Sequence, residues 1–201
     1  MVGWLGVVLA GCAGLPRGDW HPQATPAELE ATVGFATFDA RRLSDGIFYE
    51  TNRVRVAAGV PRLRAHVRLA DAAELQATTN ALLQVTSHDN PLWGRAQVLD
   101  RVRASGLEPA VAAENVAMKM LPEDTLPEDL AAAAQRPWPS YAEVARRIVD
   151  QWMNSPPHRV NLLDPRMDYL ACGVAVGVTP GGRMRLYAVQ VFFVPKARAS
   201  R

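Results

Sequence analysis

From Pro26 to about Ala58 the apolar residues recur at helical spacing, with Ile47, Phe48, Thr51, Val54 and Ala58 on one face. The spacing predicts a helical stretch, interrupted near Ser44-Asp45-Gly46 and ended by Gly59-Val60-Pro61, since Gly accepts the closing turn and Pro cannot continue it. Between Arg62 and Asn90 there is neither Gly nor Pro, and Leu69, Ala72, Ala73, Leu75, Leu82 and Leu83 supply apolar surface for a second long helix. A short third helix is expected at Gln97 to Ser105, stopped by Gly106. The clearest start is Ser140-Tyr-Ala-Glu143, a capping box, followed by an apolar face of Val144, Ala145, Ile148, Val149 and Trp152. Asn154-Ser155-Pro156-Pro157 ends that helix, because a proline nitrogen has no proton for the ladder.

The last fifty or so residues change period from helical to twofold. Leu170, Cys172, Val174, Val176 and Val178 alternate with Ala171, Gly173, Ala175 and Gly177, so large side chains take one face and small ones the other. Thr179-Pro-Gly-Gly182 is a turn, and Arg183 to Val194 forms the second strand of a β-hairpin. Cys172, in line with the valines, reads as a small core residue. Helices first and paired strands last predict an α+β fold, with helices on both sides of a mostly antiparallel sheet.

Length and composition narrow the picture. A chain of 201 residues, 49% apolar and 21% charged, suits one globular domain, and disorder, collagen-like repeats and coiled coil do not describe it. No run approaches the roughly twenty apolar residues of a spanning helix. The formal charge is +2, with arginines scattered along the chain, which gives little support for a nucleic-acid partner.

The N-terminus has its own pattern. Val2 to Leu9 is apolar, and Leu9-Ala10-Gly11-Cys12 resembles a bacterial lipobox. That resemblance implies a signal peptide over residues 1–11, a lipid on Cys12 and anchoring to a bacterial membrane. Residues 12–25, with Pro16, Gly18 and Pro22, then read as a tether, and residues 26–196 as the single domain. With Cys12 acylated, Cys172 has no partner for a disulfide. Residues 119–139, with Leu-Pro-Glu-Asp twice, read as a long acidic, Pro-rich loop insertion.

No phosphate-binding Gly loop, paired-Cys zinc spacing or Gly-x-Ser-x-Gly elbow is present. Of the histidines, His21 falls in the tether and His66 among Arg62, Arg64 and Arg68, both expected at the surface. His88 and His158 each lie just beyond a helix, where sites tend to be built, and Glu114-Asn115 enters an apolar run that would desolvate the carboxylate unless it is paired. Spacing alone does not bring the three together.

Phe48-Tyr-Glu-Thr-Asn52-Arg53, Gly59-Val-Pro-Arg-Leu63, Ser87-His88, Glu114-Asn115-Val116-Ala117, Gln151-Trp152-Met-Asn-Ser155-Pro156-Pro157-His158-Arg159-Val-Asn161, Cys172-Gly-Val-Ala-Val176 and Tyr187-Ala-Val-Gln190-Val-Phe192 follow in order. Together they resemble the bacterial branch of the CAP superfamily, the cysteine-rich secretory, antigen 5 and pathogenesis-related proteins, also called the SCP domain. The resemblance covers about residues 45–194, and Trp-x-x-Ser-Pro-x-His-Arg is its most specific part. It implies a three-layer α-β-α sandwich and a surface cleft lined by two His and two Glu. Position by position, His88 and His158 are the histidines and Glu114 the first carboxylate. Ser155 stands where eukaryotic members place the second Glu.

Three functions compete. The first is a binding module, with a lipid or cell-wall ligand or a divalent metal in the cleft. Two neutral imidazoles suit Zn²⁺, with Glu114 as third ligand or orienting one ring from behind. The second is a hydrolase acting on protein or peptidoglycan, with Glu114 or a histidine as general base or with Ser155 or Ser87 as nucleophile. The third is a structural scaffold presenting Trp93, Trp138 and the acidic repeats to a protein partner.

Overall fold

The computed structural model describes residues 21–34, 36–121, 138–178 and 184–196. Helix α1 (Pro26–Leu29) is opened by a Thr25/Glu28 capping box with proline in its first turn. Helix α2 (Ala40–Ala57) follows an Asp39 cap whose carboxylate accepts from the Arg42 N–H. Strand β1 is only Arg64–Ala65, and α3 spans Val67–Leu83. Then come α4 (Val98–Ala104), β2 (Pro109–Leu121), α5 (Tyr141–Met153), α6 (Pro156–Leu163), β3 (Tyr169–Val178) and β4 (Met184–Pro195).

The sheet order is β1-β3-β4-β2, antiparallel except for the β1–β3 pair. Helices cover both faces. Cys172 and Gln190 are register partners, and Thr51 of α2 accepts from Gln190 Nε2 at 2.5 Å, so that face meets α2. Gly173 and Val189 point the other way, where a Cβ on Gly173 would lie 2.4 Å from the backbone of Ala73 in α3. The expected α-β-α layers are present, with the small side chains of β3 turned to α3. Cys172 is a free, fully buried core residue, as its place in the alternation predicts.

Several boundaries depart from the sequence reading. Ser44-Asp45-Gly46 does not interrupt α2: a Cβ on Gly46 would meet the Cβ of Ala145 at 3.2 Å, so this glycine serves a close crossing of α2 and α5. The second helix starts later and ends earlier than Arg62–Asn90. Arg64 and Ala65 pair with Tyr169 and Leu170, and Gln84 closes the helix in the left-handed conformation at φ 55°. Within the stretch read as tether, the Gln23 and Ala24 amides donate to Asp45 Oδ2. Residues 119–121, read as loop, finish β2, while Leu-Pro-Glu-Asp over 122–137 and the Cys12 lipobox lie outside the described residues. His66 is half-buried, its ring edge-on to Tyr169 and Phe193. No helix among the described residues is long and apolar enough to cross a membrane.

Candidate functional site

The site forms at the sheet edge β2, where successive residues project to opposite faces. Glu114 projects to the α3 and α4 side, and Asn115 to the α2 and α6 side. Asn115 Nδ2 donates to the His158 carbonyl at 3.1 Å and to Gln190 Oε1 at 3.2 Å, and Asn161 Nδ2 donates to Asn115 Oδ1 at 3.0 Å. This amide ladder fixes α6 against β2, and with it His158.

Pro156 and Pro157, read as a stop, also open α6, because proline fits the first turn of a helix. His158 therefore stands on a helix, not in a loop. Ser155 is the N-cap by its backbone: its carbonyl accepts from the Arg159 N–H at 2.9 Å, its hydroxyl makes no capping bond, and none joins it to His158.

On the other side, His88 Nδ1 lies 2.9 Å from Glu114 Oε1, and the Arg101 guanidinium donates to Glu114 Oε2 at 2.5 Å. Both side chains of the ion pair are buried, at 0% exposure for Arg101 and 2% for Glu114, whereas His88 is 54% exposed. Arg101 Nη1 also reaches the carbonyls of His88, Arg95 and Ala96, at 3.2, 3.1 and 3.1 Å. It is the residue sequence reasoning missed. Its signal was its place on α4 beside Val98 and Val102, an arginine on an apolar stripe.

The two histidine rings lie with centroids 6.5 Å apart, tilted 37° to one another, and His88 contacts Glu114, so the three residues come together, while Ser155 forms no hydrogen bond with any of them. Buried His158 Nδ1 has no hydrogen-bond partner among the described residues. The hydrogen bond to Glu114 raises the His88 pKa above the usual imidazole value, with the carboxylate charge adding and burial and Arg101 opposing. Burial lowers that of His158, and the neighbouring His88 lowers it further.

The linkage signs are therefore opposite. His88 contributes stability below the ordinary imidazole value near 6.5, lost as pH rises through its raised folded value. His158 withdraws stability as pH falls from that value through its lowered one. The charged and titratable groups acting on the pair are Glu114, Arg101 and Asp89. In an NMR titration His88 is expected to protonate first on acidification, and His88→Ala to move the His158 midpoint upward. Equal midpoints, or an unmoved His158, would contradict this geometry.

Among the described residues no three of His, Cys, Asp and Glu converge as a metal set. Both Glu114 oxygens already have partners, His88 on one and Arg101 on the other. What fits a metal is the imidazole pair, with Glu114 orienting His88 from behind.

Solved structures share the fold, two bacterial proteins among them. An extracellular SCP-domain protein from Bacillus anthracis aligns at 22% identity and TM-score 0.53 over 85% of this chain, which spans only 44% of that protein. An outer surface protein of Borrelia burgdorferi aligns at 17% identity and TM-score 0.56, over 79% of this chain and 97% of the other. No curated protein sequence matches the chain. The model of the cysteine-rich secretory protein family, CAP, matches residues 48–192, and the chain belongs to that family.

Proposed function

We propose that this is a non-catalytic binding module of the bacterial cell envelope, exported and anchored to a membrane through acylated Cys12. Its cleft takes a ligand between His88 and His158. The state of Glu114 supports this most: the carboxylate is buried, with one oxygen on Arg101 and the other on His88. A general base needs reach to a substrate water, and at 2% side-chain exposure this carboxylate offers such a water little access. Ser155 lacks the hydrogen bond to a histidine that would activate it as a nucleophile.

The pair of imidazoles, with His88 Nδ1 engaged and Nε2 left over, suits a divalent metal such as Zn²⁺. The described residues offer two protein ligands, so water or donors from a lipid or cell-wall ligand complete the sphere. Export accords with the extracellular and outer surface proteins that share the fold.

Incubated with peptidoglycan or casein, the chain is expected to release no more product than folded His88→Ala or Glu114→Gln variants. Turnover that disappears in both variants would restore the hydrolase reading.

A further inference from the structure

Residues 21–30 lie on the domain with little of their own to hold them: seven of the ten are exposed, none is buried, and only Pro22, Ala24 and Leu29 are half-buried. Helix α1, within this stretch, is a single turn with no buried side chain, and its Thr25/Glu28 capping box is local. A helix that short does not persist without support from elsewhere. Firm attachment to the rest of the domain comes only beyond it. The Ala31 carbonyl accepts from the Tyr141 amide at 3.1 Å, the Val33 amide donates to the Pro139 carbonyl at 2.8 Å, and Val33 is fully buried.

Upstream of Ala31 one polar group holds the chain. Asp45, on α2, is 2% exposed, and its Oδ2 accepts from two consecutive amides, Gln23 at 2.8 Å and Ala24 at 3.0 Å. Its Oδ1 is buried without a hydrogen-bond partner, and no ion pair reaches the carboxylate among the described residues. Leu29 seats beside it, since a Cβ on Gly46 would lie 3.3 Å from Leu29 Cδ2. A buried carboxylate is costly unless donors satisfy it, and bonds to a charged acceptor are the strong ones. The carboxylate and residues 23–24 therefore depend on each other, while the rest of the stretch up to Glu30 adds one half-buried leucine.

We propose that Asp45 is a latch that sets how far the domain reaches from its membrane anchor. The proposal rests on the reading of Cys12 as the anchor. With the latch closed, the chain between anchor and domain is the eleven residues from Cys12 to Gln23, which span at most about 40 Å. With it open, the next hold is Ala31, and the nineteen residues from Cys12 span up to about 65 Å.

Hydrogen exchange on the full chain carrying Cys12→Ser tests the latch apart from the anchor. The Gln23 and Ala24 amides are expected to be protected, to exchange at least about tenfold faster in Asp45→Ala, and to fall between the two in Asp45→Asn, which keeps a neutral acceptor. Amides of α2 and α5 should be unchanged; should Asp45→Ala unfold them, Asp45→Asn decides. Unprotected amides at 23 and 24 in the parent, or equal exchange in parent and variants, would overturn the latch. The reach is read on the lipidated chain in vesicles, by energy transfer from a fluorophore on Val160→Cys to labelled headgroups, with Cys172 fully buried and unlabelled. Transfer is expected to fall in the latch variant, and equal transfer would overturn the role in reach. A purified chain without an acyl group would overturn the anchor reading and the reach with it, while hydrogen exchange still judges the latch.

Discussion

Replacing Arg101 by leucine is expected to destabilise the fold by about 3–5 kcal/mol, the range for removing one partner of a buried ion pair. Glu114 would remain at 2% side-chain exposure without its cation, and the carbonyls of His88, Arg95 and Ala96 would lose a donor. For a chain of this size each kcal/mol is roughly 2–4 °C of melting temperature, so a thermal melt resolves the loss easily. The double variant Arg101→Leu/Glu114→Leu should recover part of it, because two apolar groups tolerate burial that a lone carboxylate does not. Stability recovered in the double variant should not bring back the raised His88 titration, which depends on the carboxylate. A single variant that melts like the parent would show that the pair does not hold the loop.

The second large effect belongs to Gly173. A Cβ there would stand 2.4 Å from the Ala73 carbonyl carbon and 2.5 Å from the Glu74 nitrogen, both backbone atoms of α3 that cannot swing aside. Gly173→Ala must therefore push α3 off the sheet, with a cost at or above the roughly 1–3 kcal/mol typical of overpacking. Gly177→Ala, four residues along the same face of β3, meets nothing nearer than 3.6 Å and should be neutral or slightly stabilising, since glycine weakens a strand interior. Denaturant melts of the two variants compare them directly. Similar midpoints would mean that α3 does not press on the sheet at Gly173.

The same close approach explains part of what the sequence made legible. The alternation of large and small residues along β3 announced both the strand and its two unlike faces, because a face that receives a helix backbone closely must be built of Gly and Ala. Helix α5 was legible for a local reason too: Ser140 accepts from the Glu143 amide, and the apolar face starts one turn later. Errors arose where the cause lies far along the chain. Ser44-Asp45-Gly46 has the composition of a turn, yet Gly46 answers to Ala145 on α5. Arg64 and Ala65 are a strand only because Tyr169 and Leu170 arrive beside them.

The cleft followed the same division. His88, Glu114 and His158 could be named through family resemblance but not joined by spacing, because the three sit on a loop, a strand and a helix from different parts of the chain. The amide ladder of Asn115, Asn161 and Gln190 lay inside the quoted motifs with no role legible in them. Arg101 was one arginine among many, marked in the sequence only by its apolar neighbours Val98 and Val102, and its burial beside Glu114 is what distinguishes it. Arg101 engages the carboxylate that a Glu114-based hydrolase would use, which is what supports the proposed binding role.

The most direct test of that reading is native mass spectrometry of the full chain with Cys12→Ser, beside the same chain with His88→Ala and His158→Ala, after zinc titration and incubation with a bacterial lipid extract. The account predicts a metal or lipid adduct on the chain that keeps both histidines and none on the folded double variant. Bare protein in both samples, or an adduct that persists without the histidines, would contradict a ligand site between His88 and His158.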